Sequence, residues 1–156
     1  MNEIQNTIPL SIPNISGNEL KYVKECLETG WISSAGSYVD KFEQMVAEYA
    51  GVKYGIATMN GTAALHLALI LAGVKPKDYV IVSNLTFVAS ANSIKYTGAD
   101  PIFIDADPKT WQMDLNLLDE FLEKKTSVNL EGERILISDG RSVKTIMPVH
   151  IQGNIF

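Results

Sequence analysis

The sequence predicts an α/β domain whose mainly parallel sheet is flanked by helices, and two observations lead there. Short runs that are apolar almost throughout, at residues 54–58, 79–83 and 101–105, have the composition of strands buried on both faces. They alternate with segments of helical period at 62–72, 86–97 and 115–124, long enough to act as crossovers and so to make neighbouring strands parallel.

Two helices precede this alternation. The first opens on Ser16-Gly17-Asn18-Glu19, read as a capping box in which Ser16 and Glu19 satisfy each other's backbone N–H groups. Leu20, Val23 and Leu27 follow at helical spacing, and Gly30 closes it. The second covers 38–50, with Val39, Phe42, Val46 and Tyr49 on one face and Gly51 as its stop. Toward the other end, β-prone runs at 135–138 and 143–149 flank Asp139-Gly140, a hairpin-turn signal, and read as a hairpin inserted before a core strand at 145–149. No repeat, low-complexity tract or linker intervenes, so the chain reads as one compact unit. No crossover helix follows the last strand, so residues 1–156 are expected to be the front part of a longer protein.

Composition narrows the function. With 156 residues, 46% hydrophobic and 20% charged, the chain is globular rather than disordered. Its longest apolar run, Leu67 to Ala72, is too short to cross a bilayer, so no membrane partner is expected. A net charge of −5 gives no electrostatic footprint for nucleic acid. One cysteine, Cys26, forms no internal disulfide, and the N-terminus carries no signal-peptide pattern, so a reducing, cytoplasmic setting is expected. The two histidines, His66 and His150, form no metal-ligand cluster, and no metal is assigned.

The strongest local signal is Thr58-Met59-Asn60-Gly61-Thr62-Ala63-Ala64-Leu65, where a strand turns into a helix. The first N–H groups of such a helix lack internal partners and its dipole is positive there. Gly61 and Ala63 leave room and Thr62 adds a hydroxyl, so the turn suits a phosphate monoester. The alternative is purely structural, with Gly61 making the turn and Thr62 capping the helix. The segment is neither a P-loop nor a GxGxxG fingerprint, which disfavours an ATPase or a Rossmann oxidoreductase. His66 falls on an apolar helix and reads as a packing histidine.

A second strand-to-helix turn, Ser83 to Asn92, carries Phe87 at the expected first helical positions. Ligands of open parallel sheets bind beyond the carboxyl ends of strands, so Phe87 either covers a flat ring by stacking or simply packs. The Gly30-to-Gly36 loop, with Trp31, Ser33 and Ser34, either lines a pocket or uses Trp31 to plug the gap between the first two helices. Asp105, Asp107 and Asp114 resemble a carboxylate cluster, but Asp107-Pro108 is turn chemistry and Asp114 a helix cap.

Six motifs in order complete the picture: Gly30-Trp31-Ile32-Ser33-Ser34, Asn60 to Leu69, Thr86 to Asn92, Tyr96-Thr97-Gly98-Ala99, Pro101 to Asp105, and Pro148-Val149-His150. Across nearly the whole chain this series resembles the front half of the DegT and StrS family of pyridoxal-phosphate-dependent nucleotide-sugar aminotransferases, in particular its 4-amino-4,6-dideoxy sugar branch. The resemblance implies the fold-type-I transferase architecture, with residues 1–156 forming the N-terminal part of the large domain. It implies pyridoxal 5′-phosphate as cofactor, glutamate as amino donor, a nucleotide-linked 4-keto-6-deoxy sugar as acceptor, and a homodimer with shared active sites. It carries cofactor phosphate binding onto Gly61, Thr62 and Ala63, ring stacking onto Phe87, and proximity to sugar or cofactor onto Trp31, Ser33, Ser34 and His150.

The segment around Asp139-Gly140 is similar to an insertion in the legionaminic and bacillosamine group and suggests a UDP-linked N-acetyl sugar. The family's Schiff-base lysine follows a later strand. None of the eleven lysines here, Lys95 included, stands in that motif, so no catalytic residue is assigned and the isolated chain is expected to be inactive. Two rivals stay open: a sugar dehydratase of the same fold with histidine in place of that lysine, and a non-catalytic protein whose role is dimerisation.

Overall fold

The computed structural model describes residues 8–9 and 11–153. The chain divides between Ala57 and Thr58 into two compact units, where the sequence reads as one.

The first unit holds α1 (Glu19–Thr29) and α2 (Ser37–Ala50). Both end as expected on a glycine in the left-handed region, Gly30 at φ 74° and Gly51 at φ 67°, which a Cβ would disfavour. The capping box does not form. Ser16 lies two residues ahead of the N-cap, Asn18, and its hydroxyl donates to Asn14 Oδ1, while Glu19 accepts from the Gly17 amide. Tyr38 ties the helices together: its hydroxyl donates to Glu25 Oε2 at 2.7 Å and its ring meets that of Tyr22 at 4.9 Å between centroids. The hydrogen bond to the Glu25 carboxylate favours the protonated phenol and pushes its pKa up to about 12.

The strand expected at 54–58 is absent. Ladder partners are a tertiary matter, and among the described residues this segment joins no sheet. Instead the Ala57 amide donates to Glu43 Oε1 at 2.8 Å. Gly55 passes so close to α2 that a Cβ there would stand 2.5 Å from the Glu43 carbonyl oxygen.

The second unit contains α3 (Gly61–Leu71), β1 (Tyr79–Ser83), α4 (Ala89–Tyr96), β2 (Asp100–Ile104), α5 (Leu115–Lys125), β3 (Thr126–Val128), β4 (Arg134–Leu136) and β5 (Val143–Met147). Its main sheet is wholly parallel in the order β2-β1-β5, and Ile81 of the central strand pairs with Ile102 on one side and Ile146 on the other. Alternation along β1 splits the core as a strand must. Val80 and Val82 join Leu69, Ile94 and Ala99 beneath α3 and α4, while Ile81 joins Ile104, Met113 and Leu118 beneath α5. Val80, Ile81 and Val82 are all fully buried, each side chain worth roughly 1.5–3 kcal/mol of transfer free energy.

The segment before β5 differs from the expected hairpin. The Asp139-Gly140 turn forms, with the Gly140 amide donating to Leu136 O at 2.8 Å, but β4 pairs antiparallel with β3 and keeps only one bridge, Ile135 to Ser142, toward β5. The reason is proximity in the chain: β3 leaves α5 directly, and Arg134 binds Thr126 Oγ1 at 2.7 Å across the pair. The core strand accordingly lies two residues earlier than expected, at Val143–Met147.

Beneath this turn Arg141 fastens the amino ends of the sheet. Its guanidinium donates to Asp100, to the Tyr79 hydroxyl at 2.8 Å and to Lys77 O at 2.6 Å, and stacks 3.9 Å from the Tyr79 ring centroid. Lys95 donates to the other Asp100 oxygen. Hydrogen bonds from Lys95 and Arg141 hold the Asp100 carboxyl below the usual aspartate range.

Candidate active site

The carboxyl edge of the parallel sheet is where chemistry-bearing loops converge. Three connections leave it: 84–88 after β1, 105–114 after β2 and 148–153 after β5. Phe87 lies in the first of these and His150 in the last. A seven-residue connection joins the carboxyl end of α3 to the start of β1, so the amino end of α3, Gly61, is directed toward the same edge.

At that amino end the cap is Asn60, not Thr62. Asn60 is extended, and its Oδ1 accepts from the Ala63 amide at 2.9 Å. The Ala63 N–H is therefore already engaged. Among the described residues nothing accepts from the Gly61 or Thr62 amides, which have no carbonyl a turn earlier in the helix to donate to. Thr62 is half-buried, and its hydroxyl is not drawn into the cap. Gly61 has no positive φ, and a Cβ there would meet nothing within 4 Å. Neither backbone geometry nor internal packing requires a glycine at this position. Two free amides at the positive end of a helix, a hydroxyl beside them and open space above fit a phosphate group.

Phe87 is not on the helix as expected. α4 starts at Ala89, and Phe87 precedes it in the loop, 79% exposed, so its ring is not a core residue of this unit. The loop beneath it is braced by Thr86 Oγ1 and Ser90 Oγ at 2.8 Å and by the Ser90 amide donating to Phe87 O at 3.1 Å. His66 packs edge-on against Tyr96 with centroids 5.9 Å apart, which agrees with its reading as a packing histidine. Lys95 sits in the last turn of α4, paired with Asp100 at the amino edge of the sheet.

Trp31, Ser33 and Ser34 lie in the α1–α2 loop of the first unit. Trp31 is 60% exposed and covers Gly36, where a Cβ would stand 3.6 Å from its own. With Ser33, Tyr38 and Phe42 it lines an open groove of about 790 Å³, to which Ser34 does not contribute.

The three aspartates carry structure. Asp114 caps α5 by accepting from the Asn116 and Leu117 amides. Asp107 Oδ1 accepts from the Lys109 and Thr110 amides at 2.8 and 2.9 Å, and the Thr110 and Lys109 bonds hold its carboxyl below the ordinary value of 3.8. Asp105 Oδ1 accepts from the Ala106 amide. Among the described residues no group of three or more His, Cys, Asp or Glu stands close enough to hold a metal ion. None of their helices is long and apolar enough to cross a membrane.

Sequence reasoning missed three polar residues. Asn60 was legible, since Asn before Gly-Thr and an apolar run is a capping pattern. Ser83 and Gln112, both 2% exposed, gave no signal, because only the fold shows what they bind.

Known proteins supply the remaining link. The model of the DegT/DnrJ/EryC1/StrS aminotransferase family matches residues 13–156. A GDP-perosamine synthase of Caulobacter vibrioides is 44% identical over 148 residues, 95% of this chain and 35% of that protein. The crystal structure of a DegT DnrJ EryC1 StrS aminotransferase from Brucella abortus shares 31% identity with a TM-score of 0.73, covering 89% of this chain and 35% of that one. NtdA of Bacillus subtilis, solved with bound cofactor PMP, shares 27% identity with a TM-score of 0.66 over 96% of this chain and 32% of that one. The chain thus spans about a third of the length of the proteins it matches. With the parallel sheet, the glycine-threonine turn and the family model all agreeing over nearly its whole length, this chain belongs to the DegT/DnrJ/EryC1/StrS aminotransferase family.

Proposed function

We propose that this chain is the N-terminal part of the large domain of a pyridoxal-phosphate-dependent nucleotide-sugar aminotransferase, acting in a reducing, cytoplasmic setting as a homodimer. The observation that carries the reading is the amino end of α3, where the Gly61 and Thr62 amides remain open beneath unfilled space. When bound, the cofactor supplies a carbonyl for amine exchange and an electron-withdrawing ring.

This chain's own residues bind and orient. The Gly61 and Thr62 amides and the Thr62 hydroxyl hold the phosphate, with Ala63 in the same turn supplying small size rather than a free amide. Phe87 covers one face of the pyridine ring and excludes water from it. His150 stands near the sugar or cofactor, and Trp31, Ser33 and Ser34 contact the sugar nucleotide. No lysine of this chain is assigned to the chemistry, so the 156-residue chain alone is inactive.

The amino donor is glutamate, and the acceptor is the C4 ketone of a nucleotide-linked 4-keto-6-deoxy sugar. A UDP-linked N-acetyl sugar is the specific acceptor proposed from the segment around Asp139-Gly140. The 44% identity to a GDP-perosamine synthase favours a second reading, a GDP-linked sugar. Titrating the chain with UDP- and GDP-linked 4-keto-6-deoxy sugars tells the two apart. Tighter binding of the UDP sugar supports the first reading, and preference for the GDP sugar replaces it with the second. Incubation with cofactor, glutamate and either sugar is expected to give no amino sugar, and turnover would overturn the assignment of inactivity.

A further inference from the structure

His150 lies between two backbone anchors. On one side the Val149 amide donates to Ser83 Oγ at 3.2 Å, from the last residue of the central strand. On the other, the Gln112 carboxamide grips Ile151 twice: Oε1 accepts from its amide at 3.2 Å and Nε2 donates to its carbonyl at 3.4 Å. Both anchoring side chains are buried to 2% exposure, whereas His150 itself is exposed. A buried Gln that engages both the N–H and the C=O of one remote residue acts as a surrogate ladder and fixes the chain in position and direction.

Gln112 is itself held in place by the loop that carries it. The Trp111 amide donates to Asp107 O at 2.8 Å, and the Asp107 amide donates to Gln112 O at 2.8 Å. Asp107 Oδ1 gathers the Lys109 and Thr110 amides, and Ala106 bridges to Met113. Trp111 is held at φ 64°, left-handed backbone in a residue that is not glycine and therefore strained. A closed, braced loop that keeps such a residue immediately before Gln112 gives the carboxamide a fixed origin.

We propose that Ser83 and Gln112 are positioning residues for His150. They pin the backbone of the residues on either side of it, Val149 and Ile151, so that the imidazole is presented at the carboxyl edge of the sheet in one orientation toward the bound ligand. The proposal rests on the preceding reading that His150 belongs to the cofactor and sugar site.

The test uses the full chain with pyridoxamine 5′-phosphate as probe, amide hydrogen exchange, and NMR of the labelled His150 ring. Q112A and S83A are each expected to raise exchange at Val149 and Ile151 at least about tenfold while leaving β1 protected. They are expected to average the His150 ring signals over several orientations and to weaken probe binding several-fold. H150A weakens the probe equally but leaves both amides protected. Q112E removes the donor while keeping the acceptor, and acidification, which protonates the new carboxyl, is expected to restore protection. Should Q112A fail to fold, S83A and Q112E carry the same readouts.

Unchanged exchange at Val149 and Ile151 in these variants overturns the anchoring. Loosened amides with an unaltered His150 ring signal overturn the positioning role. If the wild type does not bind the probe at all, the cofactor reading fails separately, and the exchange and ring signals still decide whether Ser83 and Gln112 orient His150.

Discussion

Asn60 and Thr62 divide the start of α3 between them, one closing the helix and the other keeping its hydroxyl out of the cap. Replacing Asn60 by alanine removes the cap on the Ala63 amide and is expected to cost about 1 kcal/mol of stability in urea denaturation. Thr62→Val is expected to leave stability nearly unchanged and to weaken pyridoxamine 5′-phosphate, because its hydroxyl is committed to no internal partner. Phe87→Ala is expected to lower affinity for the same probe by about 1 kcal/mol, roughly fivefold, with little loss of stability from so exposed a ring. Tyr38 makes a different kind of prediction. Its pKa is raised from 10.0 to about 12, so its contribution to the first unit is present below pH 10 and lost as pH rises through 12. Unfolding of wild type and Tyr38→Phe compared across that window should converge at its upper end. A difference that persists above pH 12 would contradict the Glu25 bond as the cause.

At the scale of elements, the contrast between α5 and the strand expected at 54–58 shows what a sequence can reveal. α5, its Asp114 cap, the Gly30 and Gly51 stops and β1 were legible, since caps, stops and apolar runs are encoded within a few residues. A strand needs a partner from elsewhere in the chain, and here the Ala57 amide instead donates to Glu43, a contact no local pattern announces. The Asp139-Gly140 turn was legible for the same local reason, while the partner of β4 was not, because the choice of β3 follows from where α5 ends. The same division runs through the site. Gly61, Thr62 and Phe87 stood out as turn residues, whereas Ser83 and Gln112 bind backbone 66 and 39 residues away. Asp107 allows a test of the 105–114 loop by pH. Its carboxyl is lowered, so its bracing is present above pH 3.8 and is lost as pH falls through the folded value. Amide exchange at Lys109 and Thr110 should rise in acid in the wild type and be high at all pH values in Asp107→Ala.

For the whole molecule, the sheet has two working ends. The amino edge is tied by Arg141, Asp100, Tyr79 and Lys95, and carries structure. The carboxyl edge carries the Phe87 and His150 loops, and the short α3–β1 connection directs the amino end of α3 toward it. Arg141→Ala is therefore expected to lower the melting temperature and to leave binding of pyridoxamine 5′-phosphate intact. The central claim is that the amino end of α3 seats the cofactor phosphate, and its most direct measurement is the pair of backbone amide resonances of Gly61 and Thr62. On adding pyridoxamine 5′-phosphate both should shift and saturate together, and pyridoxamine without its phosphate should leave them in place. Equal responses to the two compounds, or shifts confined to other amides, would contradict the account.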